Sequence, residues 1–212
     1  MMVGLVLAGG RSSRFGTEKA VAPWADGMVM DIPLRALRSV CTIIALSVRP
    51  GSAAQDRAEA SGLTWLHDDP VDADGPLAGI HRGLIWAAEY GASWLALAPC
   101  DAITLRSDHY DIMQRVLAGR DIAVVGRSSS GLEPLVSIWP TGAGLTAVST
   151  ALTGGRHPSI RMVLSALDAV EVPLADFDGA NVNRPEDLPD HAFPDRPART
   201  AVLNWDAHDQ SR

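Results

Sequence analysis

The feature that most constrains this chain is a short apolar run that ends in a loop rich in glycine, hydroxyl and cationic residues. Residues 2–7 read Met-Val-Gly-Leu-Val-Leu, and residues 8–19 continue as Ala-Gly-Gly-Arg-Ser-Ser-Arg-Phe-Gly-Thr-Glu-Lys. A strand that opens into such a loop brings backbone N–H groups and fixed positive charges to one point, which suits a triphosphate. The loop lacks the ending of a Walker A motif, and Ser13 stands in place of the third glycine of a dinucleotide fingerprint. It therefore predicts a phosphate site of another kind.

Apolar segments and helical segments alternate along the rest of the chain. Apolar runs bounded by turn residues predict strands at residues 3–7, 42–48, 94–98, 121–125 and 135–139. Helical patterns predict helices at residues 31–40, 53–61, 80–90, 108–118, 144–152 and 159–167. The alternation predicts a three-layer α/β/α sandwich with a mostly parallel sheet, in which ligands bind beyond the carboxyl ends of the strands. The glycine loop and Asp101 both follow strands, so we expect both at that edge.

Side chains in these two places suit phosphate and metal chemistry. Lys19 is long enough to reach the β- and γ-phosphates while the backbone around Gly9 and Gly10 holds the α-phosphate. The guanidinium of Arg14 fits phosphate oxygens, although a helix-surface salt bridge is the plain alternative. Asp101 is the candidate ligand for Mg²⁺, which prefers oxygen ligands and is commonly held by one or two carboxylates together with substrate phosphates. Its alternative role is a helix N-cap.

The length of 212 residues fits one domain, with 47% hydrophobic residues to fill its core. We assign the domain to residues 1–188 and a C-terminal tail to residues 189–212. The tail is rich in Pro, Asp, Ala and Arg, and its apolar cluster is confined to residues 201–203 and Trp205. A mobile end is the default for such a segment, and docking of the cluster on the body or on a partner subunit is the alternative.

The balance of charge argues against a nucleic-acid partner. The net charge is −7, whereas nucleic acids are bound through basic patches or stripes. Arg11, Arg14 and Lys19 nevertheless gather in one short loop, which fits a phosphorylated small molecule. No apolar stretch approaches the roughly 20 residues that cross a bilayer, and the N-terminus enters a strand without a signal peptide. We therefore expect a soluble, cytoplasmic protein with no membrane partner.

Neither the cysteines nor the histidines show the spacing of a metal site. Cys41 and Cys100 lie in apolar surroundings without the paired spacing of zinc ligands, so we expect two reduced structural thiols. The histidines other than His157 are expected at the surface.

Four motifs, taken together, resemble one enzyme family. In chain order they are Leu-Ala-Gly-Gly-x-Ser-x-Arg-x-Gly-x-x-Lys from residue 7, Asp68 ahead of Gly-Pro-Leu-Ala-Gly from residue 75, Pro-Cys-Asp from residue 99, and Asn-Val-Asn-Arg-Pro-Glu-Asp-Leu from residue 181. They resemble the MobA-like nucleotidyltransferases, which join GMP to molybdopterin to make the guanine dinucleotide form of the molybdenum cofactor. The resemblance implies a Rossmann-like fold of the nucleotide-diphospho-sugar transferase type.

The same resemblance implies substrates and site residues. The implied substrates are GTP and molybdopterin, and the implied metal is Mg²⁺ at Asp101. Transient contact of the protein with proteins that mature molybdoenzymes is also implied. Catalytic roles are implied for Arg14, Lys19 and Asp101. Nucleotide contacts are implied at Leu7, Ala8, Gly9, Gly10, Lys19, Asp68 and Asp101. Asn181 and Asn183, whose side chains point the same way along an extended segment, are implied beside the phosphate and the pterin.

Some positions depart from the family pattern or allow two interpretations. Glu18 stands where the family usually has Asp, which removes no phosphate donor. The predicted strand at residues 42–48 ends without the asparagine often found beside the base, so a nucleotidyltransferase that uses CTP or a sugar phosphate stays open. Arg156, with His157 and Arg161, follows a second glycine turn and fits equally a site for the molybdopterin phosphate or a solvated helix start. A nucleotide-binding protein without turnover is the alternative from another class, and pyrophosphate release separates the two.

Overall fold

A mixed sheet of seven strands forms the middle of the fold. The computed structural model describes residues 1–10, 15, 18–24, 27–67, 75–153, 158–179, 182 and 187. The strands in this part of the chain are β1 (Met2–Leu7), β2 (Pro23–Trp24), β3 (Gly27–Met28), β4 (Ile43–Val48), β5 (Thr64–His67), β6 (Trp94–Pro99), β7 (Val124–Ser128), β8 (Gly131–Pro140) and β9 (Val170–Pro173). The sheet has the order β5-β4-β1-β6-β8-β7-β9, and β2 and β3 pair separately.

Most neighbouring strands of the sheet run parallel. The strands β5, β4, β1 and β6 are mutually parallel, and so are β7 and β9, whereas β8 is antiparallel to both of its neighbours. Because β8 is antiparallel to both β6 and β7, these two strands point the same way. The strand β9, which is parallel to β7, also points that way. The carboxyl ends of six strands therefore lie along one edge, which confirms the prediction of a mostly parallel sheet.

The helices connect these strands. They are α1 (Asp31–Leu37), α2 (Ala53–Ala60), α3 (Pro76–Glu89), α4 (Ser107–Leu117), α5 (Thr141–Thr153) and α6 (Ile160–Ala166), and a short 3-10 helix spans Lys19–Val21. The longest, α3, has 14 residues. Within the described part of the chain, no helix is long and apolar enough to cross a membrane.

Alternating side chains of β1 show the three layers directly. Met2 and Val6 belong to an apolar cluster that includes buried residues of α1, α2 and α4. Val3 and Leu5 belong to the cluster that includes buried residues of α3, α5 and α6. Because successive strand side chains point to opposite faces, the helices cover both faces of the sheet. The predicted three-layer α/β/α sandwich is therefore confirmed.

The element bounds differ from the sequence expectations at several places. The helix expected at residues 80–90 begins earlier, since Pro76 is favourable at the first position of a helix, where no N–H is needed. The strand expected at residues 121–125 instead spans Val124–Ser128, where it pairs with β8 and β9. The sequence analysis missed the edge strands β5 and β9, which are four residues long. Edge strands this short carry too few residues for a clear apolar run.

Candidate active site

The carboxyl ends of three adjacent strands form the centre of the site. Leu7 lies opposite Ser47 of β4 and Pro99 of β6. Beyond the strand, the N–H of Ala8 donates to the carbonyl of Ser47 at 2.8 Å, and the N–H of Cys100 donates to the carbonyl of Leu7 at 3.2 Å. These bonds hold the first residues of the glycine loop between β4 and β6. The loop therefore starts where the fold places ligands.

Gly10 is the outermost described residue at the start of this loop. Ala8 is buried and Gly10 is exposed, so the chain leaves the core within three residues. A Cβ atom built on Gly10 would meet no atom of the described residues within 4 Å. Close packing against this part of the chain therefore does not explain the glycine, and a ligand can approach its bare backbone there.

Lys19 and Asp101 meet at this edge although 82 residues separate them in the chain. The Nζ of Lys19 lies 2.7 Å from Oδ2 of Asp101, and the two side chains are only 14% and 16% exposed. The sequence analysis placed both residues at one edge on independent grounds, a glycine loop and a strand end. The structure brings them into a direct ion pair.

A small apolar cluster brings together the chain segments that flank the ion pair. The N–H of Val29 donates to the carbonyl of Ala22, and the N–H of Met30 donates to the carbonyl of Ala20, which fixes the segment that follows Lys19. The members of the cluster are Phe15, Ala22, Trp24, Val29, Ile32, Ile103 and Val182. The cluster thus joins the chain on both sides of Lys19 to Ile103, just beyond Asp101, and to Val182 of the fourth motif.

Val182 connects the fourth motif to the site. It is buried, and its N–H donates to the carbonyl of Asp101 at 3.3 Å. In the sequence it stands between the two asparagines predicted to bind substrate. Those asparagines, Asn181 and Asn183, lie outside the described residues, as do Arg14, Asp68 and Arg156. Their roles stay predictions.

Glu18 has a role that the sequence analysis did not foresee. Its Oε2 accepts a hydrogen bond of 2.7 Å from the N–H of Ala53, the first residue of α2. Ala53 is 35 residues from Glu18 in the chain, so no local sequence pattern predicts this hydrogen bond. Glu18 therefore ties the segment that carries Lys19 to the helix after β4.

A groove opens at the same edge beside β7 and β9. It has a volume of about 550 Å³ and is lined by residues 127–129 and 173–178. Thr104, three residues beyond Asp101, donates its hydroxyl to Oδ1 of Asp178 at 2.9 Å. The wall of the groove is therefore joined to the loop that carries Asp101. The sequence analysis missed this groove because β9 was not predicted.

The two cysteines are free, as expected. Burial and, to a smaller extent, the neighbouring carboxylate of Asp101 together raise the pKa of Cys100 to about 12. Burial alone raises the pKa of Cys41 to about 12. Both groups are neutral thiols at neutral pH, so Cys100 packs beside the ion pair without acting as a nucleophile.

The expectation of surface histidines is wrong for His109, which is 1% exposed. Its Nδ1 accepts the N–H of Arg106 at 3.1 Å, and its Nε2 lies 3.0 Å from the carbonyl of Ala175. These partners require a neutral ring with its hydrogen on Nε2. Burial lowers the pKa of His109, which favours the same neutral form. The histidine joins the start of α4 to one wall of the groove.

The donor set at Asp101 fits magnesium bound together with a nucleotide. Among the described residues, no group of three or more His, Cys, Asp or Glu side chains could hold a metal alone. Asp101 offers a carboxylate with two oxygens, of which Lys19 engages one. Magnesium commonly takes one or two carboxylates and completes its shell with water and phosphate oxygens. A single carboxylate beside a phosphate loop meets that requirement.

Comparison with known proteins agrees with the geometry. Residues 4–170 match the family described as the MobA-like NTP transferase domain. The chain is 32% identical over 192 residues to the molybdenum cofactor guanylyltransferase of Pseudomonas paraeruginosa, covering 88% of this chain and 92% of the relative.

Solved structures show the same fold. Molybdopterin-guanine dinucleotide biosynthesis protein A from Archaeoglobus fulgidus superposes with a TM-score of 0.66 at 21% identity, covering 89% of this chain and 95% of the other. The 4-diphosphocytidyl-2C-methyl-D-erythritol synthase of Anaerococcus prevotii reaches a TM-score of 0.67 at 10% identity, with 89% and 94% covered. The fold is thus shared by proteins named for guanine and for cytidine products. Since the family match covers most of its length, the chain belongs to the MobA-like NTP transferases.

Proposed function

We propose that this nucleotidyltransferase transfers GMP from GTP to molybdopterin, releases pyrophosphate and forms molybdopterin guanine dinucleotide. The observation that carries the proposal is the meeting of Lys19 and Asp101 at the carboxyl edge of the sheet, beside the glycine loop. The guanylyltransferase named among the relatives supports the choice of guanine and of the pterin acceptor.

The reaction needs alignment and charge neutralisation rather than a base. The terminal phosphate of molybdopterin is already an anion, and it attacks the α-phosphorus of GTP as the bond to pyrophosphate breaks. Lys19 and the N–H groups of the glycine loop hold the triphosphate, with Arg14 as a second cation. Magnesium held by Asp101 would supply further positive charge at the phosphates. The Leu7–Ala8–Gly9 backbone reads the edge of the base.

The choice of lysine at position 19 is itself informative. The chain contains 17 arginines, and Lys19 is its one lysine. An ammonium is a compact point charge, whereas a guanidinium is a planar fork that needs more room. At a contact with a carboxylate this enclosed, the compact cation can turn from Asp101 to a phosphate oxygen without moving the backbone.

We assign the second substrate to the same edge of the sheet, beside β7 and β9. Asp178 lines the groove beside β7 and β9, and its hydrogen bond with Thr104 joins the groove to the loop that carries Asp101. The size of the groove suits a ligand of a few hundred daltons. We assign it to molybdopterin, together with Asn181, Asn183 and Arg156.

The same proposal covers the organisation of the chain and its surroundings. Residues 1–188 form the catalytic domain, and residues 189–212 form the tail. The protein acts in the cytoplasm, where GTP is supplied, and makes transient contact with molybdoenzyme maturation proteins.

Pyrophosphate release in the presence of GTP, Mg²⁺ and molybdopterin tests the proposal. Wild-type protein is expected to release pyrophosphate only when all three are present, and Lys19→Met is expected to release little. Arg82→Met is a matched control, because Arg82 pairs with Glu89 within α3 and is not among the residues assigned to a substrate or metal. Nucleotide binding without any pyrophosphate release would instead indicate a binding protein without turnover.

A further inference from the structure

The first turn of α2 is a meeting point of three chain segments. Glu18 Oε2 accepts the N–H of Ala53 at 2.7 Å. The Oε1 of Gln55 lies 3.0 Å from the N–H of Gly51, in the turn after β4, and 2.9 Å from Nε2 of His67, the last residue of β5. One helical turn therefore contacts the Lys19 segment, the β4–α2 turn and the end of β5.

The N–H of Gly51 fixes the orientation of the Gln55 amide. Its Nε2 donates to Oε1 of Glu59 at 2.9 Å, one helical turn further along. A flipped amide would present NH₂ to the N–H of Gly51, and two donors cannot bond each other. The oxygen therefore faces both Gly51 and His67. Since that oxygen can only accept, the ring of His67 must carry its hydrogen on Nε2.

The three segments share one feature: each leads into the predicted nucleotide site. Glu18 precedes Lys19 directly. In β4, the carbonyl of Ser47, one residue before the end of the strand, holds Ala8. His67 precedes Asp68, the acid predicted to contact the nucleotide. The hydrogen bonds of Gln55 thus connect two of these segments at the carboxyl ends of β4 and β5.

We infer that Gln55 is a positioning residue for the nucleotide: its amide oxygen joins the turn after β4 to the end of β5 and holds these two segments in place beside the predicted site. The inference rests on the proposed nucleotidyl transfer and adds a residue to it. Gln55 touches no reacting atom, so it acts through Gly51 and His67.

The helix does not depend on Gln55 for its own stability. Ser52 caps it by accepting the N–H of Gln55 at 3.3 Å, and Ala54 and Ala58 are its buried contacts with the core. Replacing the side chain of Gln55 leaves these groups in place, because the N–H of residue 55 belongs to the backbone. Loss of the amide oxygen therefore loosens the two segments more than it unfolds the helix.

Nucleotide binding by Gln55→Ala, measured by calorimetric titration with Mg²⁺ and each of GTP, ATP, CTP and UTP, tests the inference. We expect about tenfold weaker binding of the nucleotide that wild-type protein prefers, because binding must then supply the order that the two hydrogen bonds provide in the free protein. In turnover, KM rises by a similar factor and kcat stays within about twofold. Glu59→Ala is the matched control, because it removes only the other partner of the same amide, and it is expected to bind like wild type.

An exchange of the two side chains provides a rescue. In Q55E/E59Q a carboxylate at position 55 accepts from Gly51 and His67 while an amide at position 59 donates to it, so binding returns to within about threefold of wild type. Wild-type affinity in Gln55→Ala, an equal loss in Glu59→Ala, or a loss explained by a lower melting temperature overturns the inference. Preference for another base overturns the guanine proposal alone, whereas failure of wild-type protein to bind any of the four overturns both.

Discussion

The ion pair between Lys19 and Asp101 should be measurable as a coupling energy in the unliganded protein. The two groups are mostly buried and 2.7 Å apart, so the contact is a charge-assisted hydrogen bond rather than a solvated surface pair. Such bonds contribute about 1.5–3 kcal/mol. Lys19→Met leaves the Asp101 carboxylate without its cation, and Asp101→Asn leaves the Lys19 ammonium without its anion.

We expect each single variant to lose about 2 kcal/mol of unfolding free energy and the double variant to lose about the same, which gives a coupling energy of about 2 kcal/mol. For a chain of this size, that loss lowers the melting temperature by roughly 4–8 °C. Urea unfolding of the four proteins without nucleotide or metal provides the measurement. The fold itself is expected to persist in all four.

A second pair in the same chain serves as the control. Arg106 and Asp108 are also bonded, at 3.0 Å, but their side chains are 45% and 55% exposed. Exposed pairs contribute about 0.2–1 kcal/mol, so the cycle of Arg106→Met and Asp108→Asn should show a much smaller coupling energy. If the losses at Lys19 and Asp101 simply add, the pair does not exist in solution and the description of the site is wrong.

Three further predictions concern the metal, the buried histidine and the packing behind the site. Asp101→Asn should abolish Mg²⁺-dependent transfer, because an amide is a much poorer ligand for a hard cation; pyrophosphate release with an unchanged Mg²⁺ titration would place the metal elsewhere. Burial lowers the pKa of His109 in the folded protein, so the unfolded chain takes up the proton first as pH falls below about 6.5, and stability should fall with pH by up to about 1.4 kcal/mol per unit. His109→Gln should flatten that slope in urea titrations between pH 7 and 5, and an unchanged slope would assign it to other groups. Gly83→Ala should cost about 1–3 kcal/mol, since the new Cβ would lie 2.5 Å from Cδ2 of the buried Leu5 side chain, and wild-type stability in thermal melts would show that this side chain can move aside.

The centre of the site could be predicted from the sequence, because residues that follow parallel strands always lie at the carboxyl edge of the sheet. A glycine loop after one strand and an aspartate after another must share the carboxyl edge of a parallel sheet. That rule predicts that Lys19 and Asp101 lie at the same edge of the sheet. The structure adds that they are bonded to each other.

Features that depend on distant partners were not predictable in the same way. The bond from Ala53 to Glu18 spans 35 residues, and that from His67 to Gln55 spans 12. Hydrogen bonds of polar side chains leave no periodic pattern in the sequence. The same reason explains His109, whose burial depends on the segment around Ala175 and Phe177 that follows a missed edge strand.

The most direct test of the proposed function follows the α-phosphate of the nucleotide. Wild-type protein is incubated with Mg²⁺, molybdopterin and either GTP or CTP, each labelled at the α-phosphate, and the products are separated. We predict that label from GTP enters molybdopterin guanine dinucleotide with one pyrophosphate released per transfer, and that label from CTP is transferred at least about tenfold less efficiently, equivalent to roughly 1.4 kcal/mol. Transfer of the CTP label in preference to the GTP label, or release of pyrophosphate without a labelled pterin product, would contradict it.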